Sequence, residues 1–335
     1  MIKDLKSEID LQNIFFCITV LVIHLLSGPI AELNYGGFWQ TFFFYIQRPM
    51  FFAVYGFIFL SGQKSFLSTK KEKVLHYYKK RFKTIVVPYI IAVLVTWMFF
   101  YRQDGILALF KFLLNGRAGA QFYFVIVIVQ FYIIVPLLKV VMKRISPKIM
   151  LAVAFVINII AVFLLSDTEY CELILLRYIF CYILGAVAGM YYDRFNKIVL
   201  SNKLKIVIFF CVMLICELLG VRAYLRGELI YPVQQIITMI YMPAAVLFFL
   251  MLALLISRHN IIKPGRTLKA INANSYYIFL WHVLVLTLTE WTMKGQGITR
   301  ISHLFFGKTL ALIVLIAGII LVKHIISKCS KLLKK

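Results

Sequence analysis

Residues 9–28 read IDLQNIFFCITVLVIHLLSG, and this run decides the class of fold. About 20 residues of helix, rising about 1.5 Å each, cross a hydrocarbon core about 30 Å thick. Asp10 stands at one mouth of the run. His24 lies about 21 Å further along the axis, in the far half of a membrane. An ionisable side chain there is costly and needs a partner or a water-filled cavity. The plain alternative to a functional role is an imidazole hydrogen-bonded to a neighbouring helix.

Composition extends that reading to the whole chain. Of 335 residues, 62% are hydrophobic and 15% charged. Soluble domains are about 45–50% apolar, so the chain is expected to be a polytopic membrane protein. No polar stretch between apolar runs exceeds about 25 residues, too short for a separate soluble domain. The N-terminus lacks a short apolar core followed by a small-residue cleavage site, so the first span is expected to be retained. Six cysteines (Cys17, Cys171, Cys181, Cys211, Cys216 and Cys329) form no CxxC pair and read as small buried hydrophobes, not disulfides or metal ligands.

Apolar spans fall at about 9–28, 38–60, 84–101, 122–138, 149–166, 172–191, 204–221, 234–256, 273–290 and 303–326. The expectation is an all-α bundle of about ten transmembrane helices. With the N-terminus inside, 27 of the 37 Lys and Arg residues fall in or beside inner segments and 8 in or beside outer ones. Arg48 and Arg177 lie within spans. This split sets both termini in the cytoplasm. It also accounts for the net charge of +24 without nucleic acid. The Lys-rich segment 64–83 would attract anionic lipid head groups. The stretch 106–114, apolar around Lys111, suits a short helix lying on the outer surface, ended by Gly116 and Gly119.

Few residues in these spans can carry chemistry. Arg81 precedes Pro88 by seven residues, among Lys79, Lys80 and Lys83 at the inner mouth of the third span. A guanidinium fork suits a phosphate, although basic residues at inner helix ends are also ordinary topology signals. Arg48 sits midway along the second span and should face the bundle interior. Its possible counter-charges are Glu290, Glu217 and Glu32. Glu172 and Arg177, five apart on a helix, would point about 140° away from each other and should not pair. His282 lies near the midplane of the ninth span, as a packed imidazole or a second functional one. No P-loop, GxGxxG, HExxH or GxSxG arrangement is present, which removes nucleotide hydrolysis and common hydrolase chemistry.

Five separated pieces together resemble the membrane acyltransferase 3 family. They are Asp10 with His24 in the first span, RPMFFAVYGF at 48–57, RFKTIVVPY at 81–89, QFYFVIVIVQFYIIVPLL at 121–138 and NSYYIFLWH at 274–282. The resemblance covers nearly the whole chain, 1–335, as a single integral-membrane domain. Within the family the chain looks nearest to the intercellular adhesion protein C group. Its members act beside a polysaccharide synthase and are described as modifying or exporting poly-N-acetylglucosamine. RFKTIVVPYI and GAVAGMYYDR (185–194) carry that closer similarity. The chain departs from the family pattern at three places. Asn13 stands where the family has an arginine three residues after the aspartate, Thr84 replaces the second arginine of an Arg-x-x-Arg motif, and Tyr55 replaces a serine before Gly56.

The resemblance implies an O-acyltransferase of the cell membrane that moves an acetyl or succinyl group from cytoplasmic acyl-CoA to a hydroxyl of a surface glycan. Acyl-CoA is then a co-substrate, with no metal or tightly bound cofactor. The implied partners are the glycan, the bilayer and a glycan synthase. His24 takes the family's catalytic place as general base or as transient acyl carrier. Arg81, Arg48, His282 and Asn13 form the implied substrate-binding set. The rival reading is an exopolysaccharide exporter that uses the same cavity without acyl transfer.

The charge-based topology has a direct check. A cysteine placed at Gly119 should react with an impermeant thiol reagent added to intact cells, and one placed at Ser68 should not. Labelling at Ser68 would reverse the orientation.

Overall fold

The computed structural model describes residues 7–68, 72–165, 168–259, 261 and 265–332. The helices follow in the order α1 (Ser7–Glu32), α2 (Phe38–Met50), α3 (Phe52–Leu67), α4 (Val74–Arg81), α5 (Val87–Phe100), α6 (Gly105–Asn115) and α7 (Phe122–Val141). The second half holds α8 (Pro147–Leu165), α9 (Ile179–Met190), α10 (Tyr192–Ser201), α11 (Lys203–Leu225), α12 (Tyr231–Arg258), α13 (Arg266–Gly295) and α14 (Ile301–Leu332). Among the described residues there is no strand. Among the described residues, nine helical stretches are long and apolar enough to cross a membrane, or up to ten when the bent pair around α9 and α10 is counted as one span. The chain is a multi-pass membrane protein, as its apolar runs require.

The second and third spans are interrupted, and both interruptions have local causes. The second span is α2 followed by α3, interrupted at Phe51 just after Pro49. Proline removes an N–H and crowds the preceding turn, which kinks a helix. The Pro49 carbonyl is satisfied from outside its own helix, by the Tyr241 hydroxyl at 3.1 Å. The third span begins at Val74, earlier than expected. It passes through a π-helical turn, Phe82–Val86, before α5. That widened turn lies just before Pro88, where an N–H is missing in any case.

The sixth span differs most from its expected form. A helix over 172–191 was expected, but the chain instead makes two short 3-10 turns, Cys171–Leu173 and Leu175–Tyr178, before α9. It then turns by 108° into α10. Twelve residues of α9 rise only about 18 Å, well short of a bilayer. The shortfall is tolerated because ten of those twelve residues are buried in protein rather than facing lipid. α9 lies against α3 at backbone distance. A Cβ on Gly185 would strike the backbone of Phe59, one on Gly189 that of Gln63, and one on Gly62 that of Tyr182. Small residues four apart let two backbones meet in this way.

α1 sits centrally and touches α2, α3, α12, α13 and α14. α11 and α14 turn large apolar side chains outward, including Ile208, Val212, Leu310 and Ile313, as expected where lipid tails replace water. The expected surface helix at 106–114 is α6, which ends on Gly116 in a left-handed conformation, φ 65°. All six cysteines are free. Cys17 and Cys181 are buried as expected, whereas Cys211 and Cys329 are exposed.

Gly185→Ala should lower the thermal unfolding temperature of the detergent-purified protein, through overpacking against a backbone that cannot yield, at a cost of about 1–3 kcal/mol. Gly318→Ala on α14, where nothing lies within 4 Å of the added carbon, should be neutral or slightly stabilising. Equal effects at the two sites would sink the close-packing account of α3 and α9.

Candidate functional site

The bundle is hollow at both ends. By the charge-based orientation, the end at which α1 starts is the inner one. The outer end holds a cavity of about 1050 Å³. The inner end holds one of about 380 Å³, and a basic mouth of about 710 Å³ shares Lys64 and Arg81 with it. Of the five residues singled out in the sequence, His24, Arg48, Arg81 and Asn13 line these spaces, and His282 is buried behind the outer one.

His24 lines the outer cavity from α1. Its ring centroid lies 4.8 Å from that of His282 on α13, with the planes 61° apart. His282 is fully buried. Its Nδ1 lies 2.7 Å from the Phe279 carbonyl, and a carbonyl can only accept, so Nδ1 carries the proton. That leaves Nε2 as a lone pair, and this atom has no hydrogen-bond partner among the described residues. Two imidazoles therefore stand together, one facing the cavity and one behind it in a set tautomer. The turn that carries His24 is held from α2. Gln47 donates to the Ile23 carbonyl at 2.7 Å and to Ser27 Oγ at 2.8 Å.

Arg48 also lines the outer cavity, and of its three candidate counter-charges the structure selects Glu217, Nε to Oε1 at 3.4 Å. Glu217 is fully buried and accepts from Thr238 Oγ1 at 2.8 Å and from Gln234 Nε2 at 3.2 Å. The other two candidates are engaged elsewhere: Glu290 pairs with Lys308 and Lys294, and Glu32 with Lys294. Arg177 does not pair with Glu172, as expected, although both lie on 3-10 turns rather than on one helix. It donates instead to Gln235 and to Cys171 Sγ. Tyr55, Tyr123, Tyr178 and Tyr231 add aromatic surface to the same cavity. At its rim, the Arg117 guanidinium is held above its ordinary pKa by its hydrogen bond to Glu169.

Arg81 and Asn13 line the inner cavity. Arg81 is not a side chain trailing into the head groups. It lies over the ring of Tyr132 at 4.4 Å and near that of Tyr77 at 5.3 Å, and its Nε has no hydrogen-bond partner among the described residues. Cation–π contact of this kind orients a guanidinium while leaving its donors in the plane for an anion. Asn13 donates to Asn272 Oδ1 at 2.6 Å and to Ser275 Oγ at 2.8 Å, and Asn272 in turn donates to Asp10 at 2.6 Å. Its amide hydrogens tie α1 to α13, which leaves its carbonyl oxygen for anything in the cavity. The two cavities lie back to back, with Phe124 and Phe279 in the walls of both.

Sequence reasoning missed the amides. Gln47, Gln121 and Gln234 are buried and each bonds to another helix or its side chains. The signal was present, since an amide inside an apolar run needs a partner on a neighbouring helix. It names no partner.

A family described as an acyltransferase domain matches residues 6–324. Over 302 residues the chain is 27% identical to a probable poly-beta-1,6-N-acetyl-D-glucosamine export protein of Staphylococcus epidermidis, covering 85% of this chain and 82% of the relative. The corresponding protein of one named strain of that species matches to the same extent. No solved structure matches.

Glu217→Ala would leave the Arg48 charge uncompensated. Loss of one partner from a fully buried pair costs about 3–5 kcal/mol, and with Arg48 27% exposed the expected loss is nearer about 2–3 kcal/mol. Thermal unfolding of the purified variant measures it. Glu217→Gln, which can still accept from Thr238, should lose less. Equal stability of Glu217→Ala and the parent would remove the pair from the account of the fold.

Proposed function

This chain belongs to the acyltransferase domain family, and from that premise we propose that it transfers an acyl group from cytoplasmic acyl-CoA to a hydroxyl of a cell-envelope glycan. It would do so in the cytoplasmic membrane, beside a glycan synthase. The observation that carries this reading is the position of His24. It faces a large outer cavity, has a second imidazole at its back, and stands next to the wall shared with a basic inner cavity.

The donor's phosphates would lie at the inner mouth among Arg81, Lys64, Lys80 and Lys139, with Asn13 in the wall of the cavity above. Arg81 supplies the planar fork, and the lysines supply point charges in place of the second arginine of the family motif. The acyl end points toward Phe124 and Phe279. The glycan would enter from the outside, into the space lined by tyrosines, Arg48 and Arg177.

His24, as an uncharged imidazole, takes the proton of the attacking hydroxyl. The hydroxyl oxygen bonds to the thioester carbonyl carbon, and the carbon–sulfur bond breaks. The leaving thiolate of CoA then takes the proton back from His24. The products are the glycan ester and CoA thiol, with no net proton change. His282 acts behind His24 as a positioning residue. Arg48, with part of its guanidinium open to the cavity, orients the glycan or the developing oxyanion. The acyl group is a short one, acetyl or succinyl.

Export of an exopolysaccharide without acyl transfer is the second reading, favoured by the name of the Staphylococcus relative. One substitution separates the two. His24→Gln keeps much of the volume and hydrogen bonding but cannot accept a proton. At normal protein level it should remove glycan acyl groups, since loss of a general base costs about 10²–10⁴-fold, while surface glycan remains. Mass spectrometry of surface polysaccharide reads both quantities. Loss of the glycan itself supports export, and wild-type acylation would remove His24 from the chemistry.

A further inference from the structure

We propose that Phe57, Phe124 and Phe279 form a collar through which the acyl end of the donor reaches His24, and that this collar confines the reaction to short acyl groups. The inference rests on the acyl-transfer reading above and adds to it the residues that select the acyl chain.

Phe124 and Phe279 are the two described side chains that line both cavities, and Phe57 lines the inner one beside them. The Phe124 and Phe279 ring centroids are 5.1 Å apart with the planes at 63°. Phe57 closes the third side, 6.0 Å from Phe124 and 6.3 Å from Phe279. Rings in edge-to-face contact at such distances leave no open channel between them. The inner and outer cavities are therefore separated by one layer of aromatic side chains, contributed by α3, α7 and α13.

The layer sits beside the histidine pair. The ring of Phe279 is 5.8 Å from that of His282, which is 4.8 Å from that of His24. The frame around the layer is fixed by hydrogen bonds. The Phe279 carbonyl accepts from His282 Nδ1, and Gln121 Nε2 at the start of α7 donates to the Leu280 carbonyl at 2.9 Å. With α13 held at the Phe279 and Leu280 carbonyls, the second of them tied to the start of α7 through the Gln121 side chain, the adjustable parts are the rings. Turning one ring aside opens a gap about as wide as that ring, enough for a slender acyl end. A longer chain must keep the ring displaced along its whole length while its tail fills the space around His24. Between turnovers the closed collar keeps a thioester in the inner cavity away from the outer water beside His24, which protects it from hydrolysis.

The test uses the full-length purified protein, with short N-acetylglucosamine oligomers as acceptor probe and release of CoA thiol as readout. Acetyl-, butyryl- and hexanoyl-CoA are compared. The parent should prefer acetyl over hexanoyl by at least about tenfold. Phe124→Ala and Phe279→Ala should raise the hexanoyl-to-acetyl ratio by a similar factor. Phe124→Leu and Phe279→Leu should shift it the same way but less, and they serve where an alanine variant does not fold. An unchanged ratio in variants that still use acetyl-CoA overturns the proposal, as does a parent that uses hexanoyl-CoA equally well. Thiol release from no donor by the parent would overturn the acyl-transfer reading, and acyl selection with it.

A second arm reads the barrier without any chemistry. Ser61 lines the inner cavity, so Ser61→Cys reports on what passes the collar. An impermeant thiol reagent added outside intact cells should label a cysteine at Gly119. It should leave Ser61→Cys at the background of the native cysteines, and it should label Ser61→Cys once Phe124→Ala is added. Equal labelling of Ser61→Cys with and without Phe124→Ala overturns the collar.

Discussion

A hydrogen-bonding group between lipid tails has no water to turn to, so each one must find its partner inside the protein. That constraint organises this bundle at two depths. In the outer half, Glu217 on α11 gathers Arg48 from α2 with Thr238 and Gln234 from α12. In the inner half, Asn13 and Asp10 on α1 are joined through Asn272 and Ser275 on α13. Apolar packing alone gives little preference for one rotation of a helix over another, because lipid solvates an apolar face as well as a neighbour does. The polar links supply that preference, and the cavities are the spaces they hold open.

The second organising contact is the glycine seam between α3 and α9. Because Gly62, Gly185 and Gly189 let the backbones touch, α9 is enclosed and can be shorter than the membrane is thick. The seam also fixes α3, and α3 carries Phe57, Ser61 and Lys64 into the inner cavity. Packing far from the histidines thus sets the shape of the space that leads to them.

Much of this was legible in the sequence, and the parts that were not share a physical reason. The number of spans follows from apolar length, and His24 stood out because an imidazole fourteen residues past Asp10 lies deep in a bilayer by arithmetic. Arg48 was legible as an interior charge, but Glu217, Glu290 and Glu32 were equally good partners for it. The choice depends on which helices meet, and spans that are apolar all round carry little periodic signal of the face they bury. The sixth span read as a full helix because its run is long enough. Its 3-10 entry and its 108° exit are consequences of being enclosed, which local composition does not record. Arg81 read equally as a phosphate-binding fork and as a topology marker, because its neighbours are lysines. Its aromatic setting comes from Tyr132 on α7, some fifty residues away. His282 read as a packed imidazole or a second functional one, and its own span did not show that it stands against His24.

The two halves of the molecule are unequal in a way that fits the proposed reaction. The inner cavity is about 380 Å³, basic at its mouth and narrow, a shape for one end of a donor whose charged part stays near the head groups. The outer cavity is about 1050 Å³, at the upper end of the range for small-molecule sites, and it is lined by tyrosines, amides and arginines. Such a surface offers rings for sugar faces and donors for hydroxyls. Acyl transfer between two aqueous compartments needs both substrates to reach one base without opening a leak between them. His24, the proposed base, stands on the outer side of a single aromatic layer. Only the acyl end of the donor has to pass that layer, and the bulky, charged remainder of the donor need never leave the inner side.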